Sequence, residues 1–182
     1  MSTERAGVLR SSALMAAGTI TSRATGLVRD MALVAAIGFG TLADTYSLGN
    51  SLPNIIYILV AGGALNAVFI PQLVRHMQND PDGGHGFANR LLRVVALITF
   101  TLTVVAVLAA PWIVHLYATS EYSAREFDLA VAFARLCLPQ IVFYGLYTMF
   151  SQVLNARGHF GSPMFAPIVN NVVVIAACLA FL

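Results

Sequence analysis

The amino-acid sequence predicts an all-α protein of the membrane, a polytopic transmembrane bundle of about five helices, and three observations carry that expectation. Of its 182 residues, 58% are hydrophobic and only 10% are Asp, Glu, Lys or Arg, against about 25% charged in an ordinary globular protein. So few charges cannot cover a water-soluble surface. The uncharged runs are also long: Thr45–Val74 spans 30 residues, Val94–Val114 and Leu136–Ala156 span 21 each, and Phe160–Leu182 spans 23. About 20 helical residues cross a hydrocarbon core about 30 Å thick, so each run suffices. The runs are apolar in blocks rich in Ala, Leu and Gly, without the period-two alternation of a barrel strand. Helices are the other way to satisfy every backbone group in lipid.

The five helices are expected at 8–38, 45–77, 88–118, 125–156 and 162–182. The first is interrupted, since Arg23, Arg29 and Asp30 lie within an Ala-rich stretch that a hydropathy window scores poorly. Arg5 and Arg10 ahead of that stretch resemble the start of a signal peptide, but an apolar signal core does not contain arginine, so a retained, partly polar first helix is the better reading. Gly38–Thr41 marks the first corner. The second helix carries Pro53 at its middle, where a proline frees a carbonyl and bends the helix, and Asn54 beside it is placed to bond that carbonyl or to line a cavity. Gly62, Gly63 and Asn66 follow, and small residues here fit close packing. Asp80 to Gly86 form the clearest polar turn, before the third helix. Thr119–Asp128 is the acidic loop before the fourth, which contains Pro139, Gln140 and Tyr144. Gly158–Pro163 is the turn before the fifth, which contains Pro167, Asn170 and Asn171. Repeated Pro, Gly and Asn within membrane helices fit broken, movable elements.

Charge fixes the orientation. All ten basic residues are Arg. If the spans alternate, Arg5, Arg10, Arg75, Arg90, Arg93 and Arg157 fall on one side and Arg125 on the other, which places the N-terminus in the cytoplasm by the positive-inside rule. The chain stops at the apolar Leu182, as expected of an incomplete piece of a longer transporter. Cys137 and Cys178 lie in apolar spans and are expected as free thiols.

The intramembrane charges point to function. Arg23 and Arg29 are six residues apart, hence about 9 Å along a helix and about 120° around it, which suits one wide cavity and not a clamp on a single atom. A charge in hydrocarbon is costly unless it faces a wet cavity or a partner. Two planar guanidinium forks suit a bulky anionic group such as a phosphate or diphosphate. The competing structural reading is that Arg29 pairs with a carboxylate or snorkels to the interface, and Arg135 is open to the same reading. Asp30, Ser22 and Asp44 are the neighbouring polar candidates. No phosphate-binding loop is present, and the four His and two Cys offer no metal-ligand spacing, so no cofactor or metal is expected. A hydrolase triad finds no support, and the basic residues form no nucleic-acid-binding strip.

The run Ser22-Arg23-Ala24-Thr25-Gly26-Leu27-Val28-Arg29-Asp30, then Gly38-Phe39-Gly40 with Ala43-Asp44, Leu52-Pro53-Asn54, Phe69-Ile70-Pro71, Ala110-Pro111-Trp112 and Phe165-Ala166-Pro167 with Asn170-Asn171 resembles the N-terminal part of the MurJ/MviN family of bacterial lipid II flippases. The resemblance implies a transporter and not an enzyme. It implies a fourteen-helix fold in two lobes, within the superfamily of multidrug and polysaccharide exporters. On this reading, residues 1–182 are an incomplete N-terminal lobe in the bacterial inner membrane, moving undecaprenyl-diphosphate-linked peptidoglycan precursor from the inner to the outer leaflet. Its partners would be lipid II or a related polyprenyl-diphosphate glycolipid, the remaining helices of the transporter, and cell-wall synthesis or division proteins. It places Arg23 and Arg29 at the substrate cavity, matches Asp44 to an acidic residue opening the second helix, and matches Asn54 to a polar cavity residue. One departure stands out: the family's two successive basic residues after Leu-Pro-Asn, and an acidic residue before a glycine, are here Tyr57-Ile58 and then Gly62. Export of another polyprenyl-linked polysaccharide or amphiphile, or a non-transporting membrane scaffold, are the alternatives.

Overall fold

The fold is that of a computed structural model, which describes residues 2–62, 70–117, 122–157 and 161–182, and within them the side chains other than those of 2–15, 61, 62, 70, 162 and 164. Gly63, Asn66, Phe69, the start of the Thr119–Asp128 loop and residues 158–160 of the Gly158–Pro163 turn lie outside the described residues. The described elements are helical: α1 (Ser2–Ile37), α2 (Thr41–Tyr57) continued by a π-helical turn (Ile58–Gly62), α3 (Ile70–Asn79), α4 (His85–Leu108), α5 (Ala110–Tyr117), α6 (Ala124–Cys137), α7 (Gln140–Ala156) and α8 (Gly161–Phe181). They form two compact units, one of Met1–Gly38 with Leu154–Leu182 and one of Phe39–Val153.

The first unit is the pair α1 and α8. Helix α1 runs without a break through Arg23, Arg29 and Asp30, because Ala, Leu, Met and Arg are strong helix formers and a charge on a helix surface does not interrupt the backbone ladder. It ends where Gly38 takes a φ of 81° and its N–H bonds the Val34 carbonyl at 2.9 Å, the left-handed stop that glycine adopts without steric cost. The buried residues of the pair include Gly18, Asn171 and Cys178.

The second unit packs around two clusters. Leu52 of α2, Ala106 of α4, Ala110 and Val114 of α5, and Ala130, Val131, Ala134, Leu138 and Ile141 from α6 to α7 form the larger; Tyr57, Leu91, Val95 and Met149 form the smaller. Helix contact is close where a glycine removes the side chain: a Cβ on Gly49 would lie 2.9 Å from the backbone of both Phe133 and Ala134, so α2 rests directly on α6. Helix α6 starts with a capping box, Glu126 N–H donating to Ser123 Oγ and Ser123 N–H to the Glu126 carboxylate, which satisfies two donors that a helix start leaves open. The outward surface of α4 and α5 is apolar: Leu108, Trp112 and Leu116 are 74%, 78% and 82% exposed. In water such a surface would drive association; in a bilayer it is the lipid-facing side.

The all-helical class agrees with the sequence, while the element boundaries are corrected by proline. The expected helix 88–118 is two helices meeting at Ala109, since Pro111 has no N–H for the Val107 carbonyl, and the expected helix 125–156 is interrupted at Leu138–Pro139, where Pro139 has none for the Arg135 carbonyl. Within the expected helix 45–77 the described elements are α2, its π turn and the short α3, and residues 63–69 lie outside the described residues. Among the described residues, two stretches are long and apolar enough to cross a membrane by length and composition, α4 with 24 residues and Ala124–Ala156 with 33, and Phe165–Phe181 is a shorter apolar helix. Helix α1, as its hydropathy foretold, is not among them. Cys137 and Cys178 are free thiols and buried.

Candidate functional site

One stripe of α1 faces α8. Ser22, Thr25, Gly26 and Arg29 recur at three- and four-residue spacing, which stacks them along one side of a helix, and all four meet Asn171. The Asn171 side chain is 5% exposed. Its Nδ2 donates to the Ser22 carbonyl oxygen and to Thr25 Oγ1, both at 3.1 Å, and its Oδ1 accepts from Arg29 Nη1 at 3.2 Å. The Thr25 hydroxyl is free to accept because its own proton is turned to the Thr21 or Ser22 carbonyl, at 2.9 and 3.0 Å. Gly26 lies beside the amide: a Cβ there would stand 3.6 Å from Asn171 Nδ2, an ordinary contact distance.

Arg29 is gripped on two sides. Its Nε and Nη2 converge on Asp30 Oδ1 at 2.9 and 2.7 Å, and its Nη1 reaches Asn171. Pairing with a carboxylate was one of the two sequence readings for Arg29, and that pair is present in the structure. It does not bury the guanidinium, since the Arg29 and Asp30 side chains remain 34% and 60% exposed, and an exposed pair contributes about 0–1 kcal/mol in water. In a low-dielectric surrounding its value is greater, because a counter-ion on the next residue reduces the cost of placing arginine in a membrane helix. Arg23 is exposed and, six residues before Arg29, lies about 120° round the helix from it, off the stripe that meets α8.

The remaining candidates belong to the second unit. Asp44 is exposed in the first turn of α2, where the positive end of the helix dipole favours an anion. Asn54 is exposed next to the buried Pro53, and Arg135 is exposed in the last turn of α6. A polar seam that the sequence reading did not single out joins α2 to α7. Gln140 Nε2 donates to Asn50 Oδ1 at 3.3 Å, the Tyr144 hydroxyl donates to Gln140 Oε1 at 3.0 Å, and the Tyr57 hydroxyl donates to Thr148 Oγ1 at 2.9 Å. Tyr57 is the residue at the departure from the family's basic pair. It is 8% exposed and its ring lies 6.0 Å from that of Tyr144, so this position holds an internal hydrogen bond where a charge was to be expected. Spacing gave a weak signal for the seam, Asn50, Asn54 and Tyr57 falling on one side of α2.

A helical fold with long apolar stretches and an outward apolar surface on α4 and α5 fits a membrane protein. A family model described as "Lipid II flippase MurJ" matches residues 33–182, and the chain belongs to that family, whose description is a transporter's and not an enzyme's. Among curated relatives, the lipid II flippase MurJ of Burkholderia cenocepacia is 34% identical over 163 residues, covering 88% of this chain and 32% of the relative. The probable lipid II flippases MurJ of Rhizobium tropici and Bdellovibrio bacteriovorus are 33% and 31% identical, over 87% and 93% of this chain and 30% and 33% of their own. The chain thus spans about a third of the length of these relatives. The family model begins after the Ser22–Asp30 run, but a match over 93% of the chain leaves too few residues outside to omit it. Family and apolar helices together make this a protein of the bacterial inner membrane.

Proposed function

We propose that residues 1–182 form the opening part of the N-terminal lobe of a lipid II flippase, and that the complete protein moves undecaprenyl-diphosphate-linked peptidoglycan precursor from the inner to the outer leaflet by alternating access. The membrane topology of this reading is five crossings with the N-terminus in the cytoplasm. Arg23 and Arg29 engage the diphosphate; Asp44 and Asn54, on the exposed side of α2, tune the cavity or its gate, with Ser22, Asp30 and Arg135 in secondary roles. The observation that carries the proposal is the pair of guanidiniums on α1 within a chain of this family: Arg23 exposed, Arg29 oriented by two partners yet still a third exposed. A planar fork held in place loses little freedom on gripping a diphosphate. The glycolipid, the remaining helices and the cell-wall synthesis or division machinery are the partners this role requires.

The test is complementation in cells depleted of their own lipid II flippase, reading exposure of lipid II at the outer surface. The full-length protein is expected to rescue, and the full-length double variant Arg23→Ala/Arg29→Ala to lose rescue at equal expression. Rescue by the double variant would remove the arginines from the mechanism, and failure of the unaltered full-length protein, with insertion confirmed, would shift the assignment to another lipid-linked substrate or to a scaffold.

A further inference from the structure

The amide of Asn171 has only one orientation that its surroundings accept. An asparagine presents two donors on nitrogen and an acceptor oxygen, and the chemistry of its partners decides which end goes where. The Ser22 carbonyl oxygen, 3.1 Å away, can only accept, so Nδ2 must face it. The oxygen is then turned towards Arg29 Nη1, which can only donate. Reversal would set oxygen against oxygen and nitrogen against guanidinium at once. The Thr25 hydroxyl takes the second Nδ2 proton, so the buried amide is fixed at both ends, with its acceptor on a cation 142 positions away in sequence. An asparagine that served only to join two helices would need no charged partner.

We infer that Asn171 is a positioning residue for Arg29. Resting on the proposed role of Arg29 at a diphosphate, its task is to hold one nitrogen of the fork while Asp30 holds the opposite edge, so that the guanidinium plane is set before an anion arrives. Asp30 is exposed and can be displaced by a phosphate oxygen that offers the same Nε and Nη2 edge a stronger acceptor; Asn171 is buried and stays. Arg23, off the stripe, does not depend on it.

A double-mutant cycle in purified full-length protein in nanodiscs tests this, with undecaprenyl diphosphate and undecaprenyl monophosphate as probes. Asn171→Ala is expected to weaken diphosphate binding about tenfold, the size of one hydrogen bond to a charged group, and to reduce the preference for diphosphate over monophosphate. It is expected to have no further effect in an Arg29→Ala background and its full effect in an Arg23→Ala background. Where Asn171→Ala fails to fold, Asn171→Asp, equal in volume and with an oxygen still offered to Arg29, is expected to weaken diphosphate binding through competition, again only while Arg29 is present. Nitrogen-15 spectra of the arginine side chains read the contact directly: slow rotation of the Arg29 guanidinium in the unaltered protein becomes fast in Asn171→Ala. An equal loss with and without Arg29 would make Asn171 a helix-packing residue and overturn the inference. Loss on Arg29→Ala with none on Asn171→Ala would overturn it and leave the proposed function standing. Indifference of binding to Arg29→Ala would overturn both.

Discussion

Asp82 works through two backbone amides. Its Oδ2 accepts from Gly86 N–H at 2.7 Å and its Oδ1 from Gly84 N–H at 3.0 Å, and the Gly86 bond above all holds its carboxyl below the ordinary 3.8. A depressed carboxyl contributes stability that is present above its unfolded value and is lost as pH falls through the folded one, so the start of α4 is expected to loosen only below pH 3.8. A carbon-13 titration of Asp82 in the full-length protein should show a midpoint under that value; a midpoint at or above it would mean that the two amide bonds are not made in solution. The polar turn around Asp82 was legible because Asp, Pro and Gly cluster there. That Arg29 pairs with a carboxylate was legible, but which carboxylate was not. The Asn171 contact was not, since a hydrogen bond between residues so far apart depends on helix packing that no local pattern contains. Tyr57 was read as a missing charge, whereas its internal bond to Thr148 depends on α7.

At the scale of the helix, glycine has opposite meanings in the two units. A Cβ on Gly49 would meet the backbone of α6 at 2.9 Å, and a backbone cannot rotate away as a side chain does. Gly49→Ala is therefore expected to cost about 3 kcal/mol in overpacking, offset by about 1 kcal/mol of helix propensity. Gly26→Ala, with its nearest neighbour at 3.6 Å, is expected to be neutral or mildly stabilising. Thermal melting of the two full-length variants in detergent checks the pair, and equal melting temperatures would show that α2 and α6 are not so closely seated. The existence of apolar helices was plain from run length and composition, but their ends were not. Pro111 and Pro139 were visible as residues, yet whether a proline bends a membrane helix or ends it depends on whether neighbours satisfy the freed carbonyl.

For the whole molecule, the proposed mechanism sets a limit on what this length of chain does. Alternating access needs a second lobe to move against, and these residues span about a third of the relatives' length. Liposomes containing only residues 1–182 are expected to show no movement of lipid II between leaflets, and measurable flux would refute the two-lobed mechanism. Composition made the membrane setting legible, whereas the division into two units was not, because it pairs the first helix with the last across the whole intervening sequence. The interruption at Leu138–Pro139 has a mechanical consequence. An unbroken helix of 33 residues would be a stiff rod about 50 Å long, spreading any load evenly along its length. Here the regular ladder gives way to Ile141 N–H on the Leu138 carbonyl and Val142 N–H on the Pro139 carbonyl, at 3.0 and 3.2 Å. Compliance is concentrated at that point, and the stretch behaves as two short levers on a common joint, with Gln140 tying the joint to Asn50 of α2.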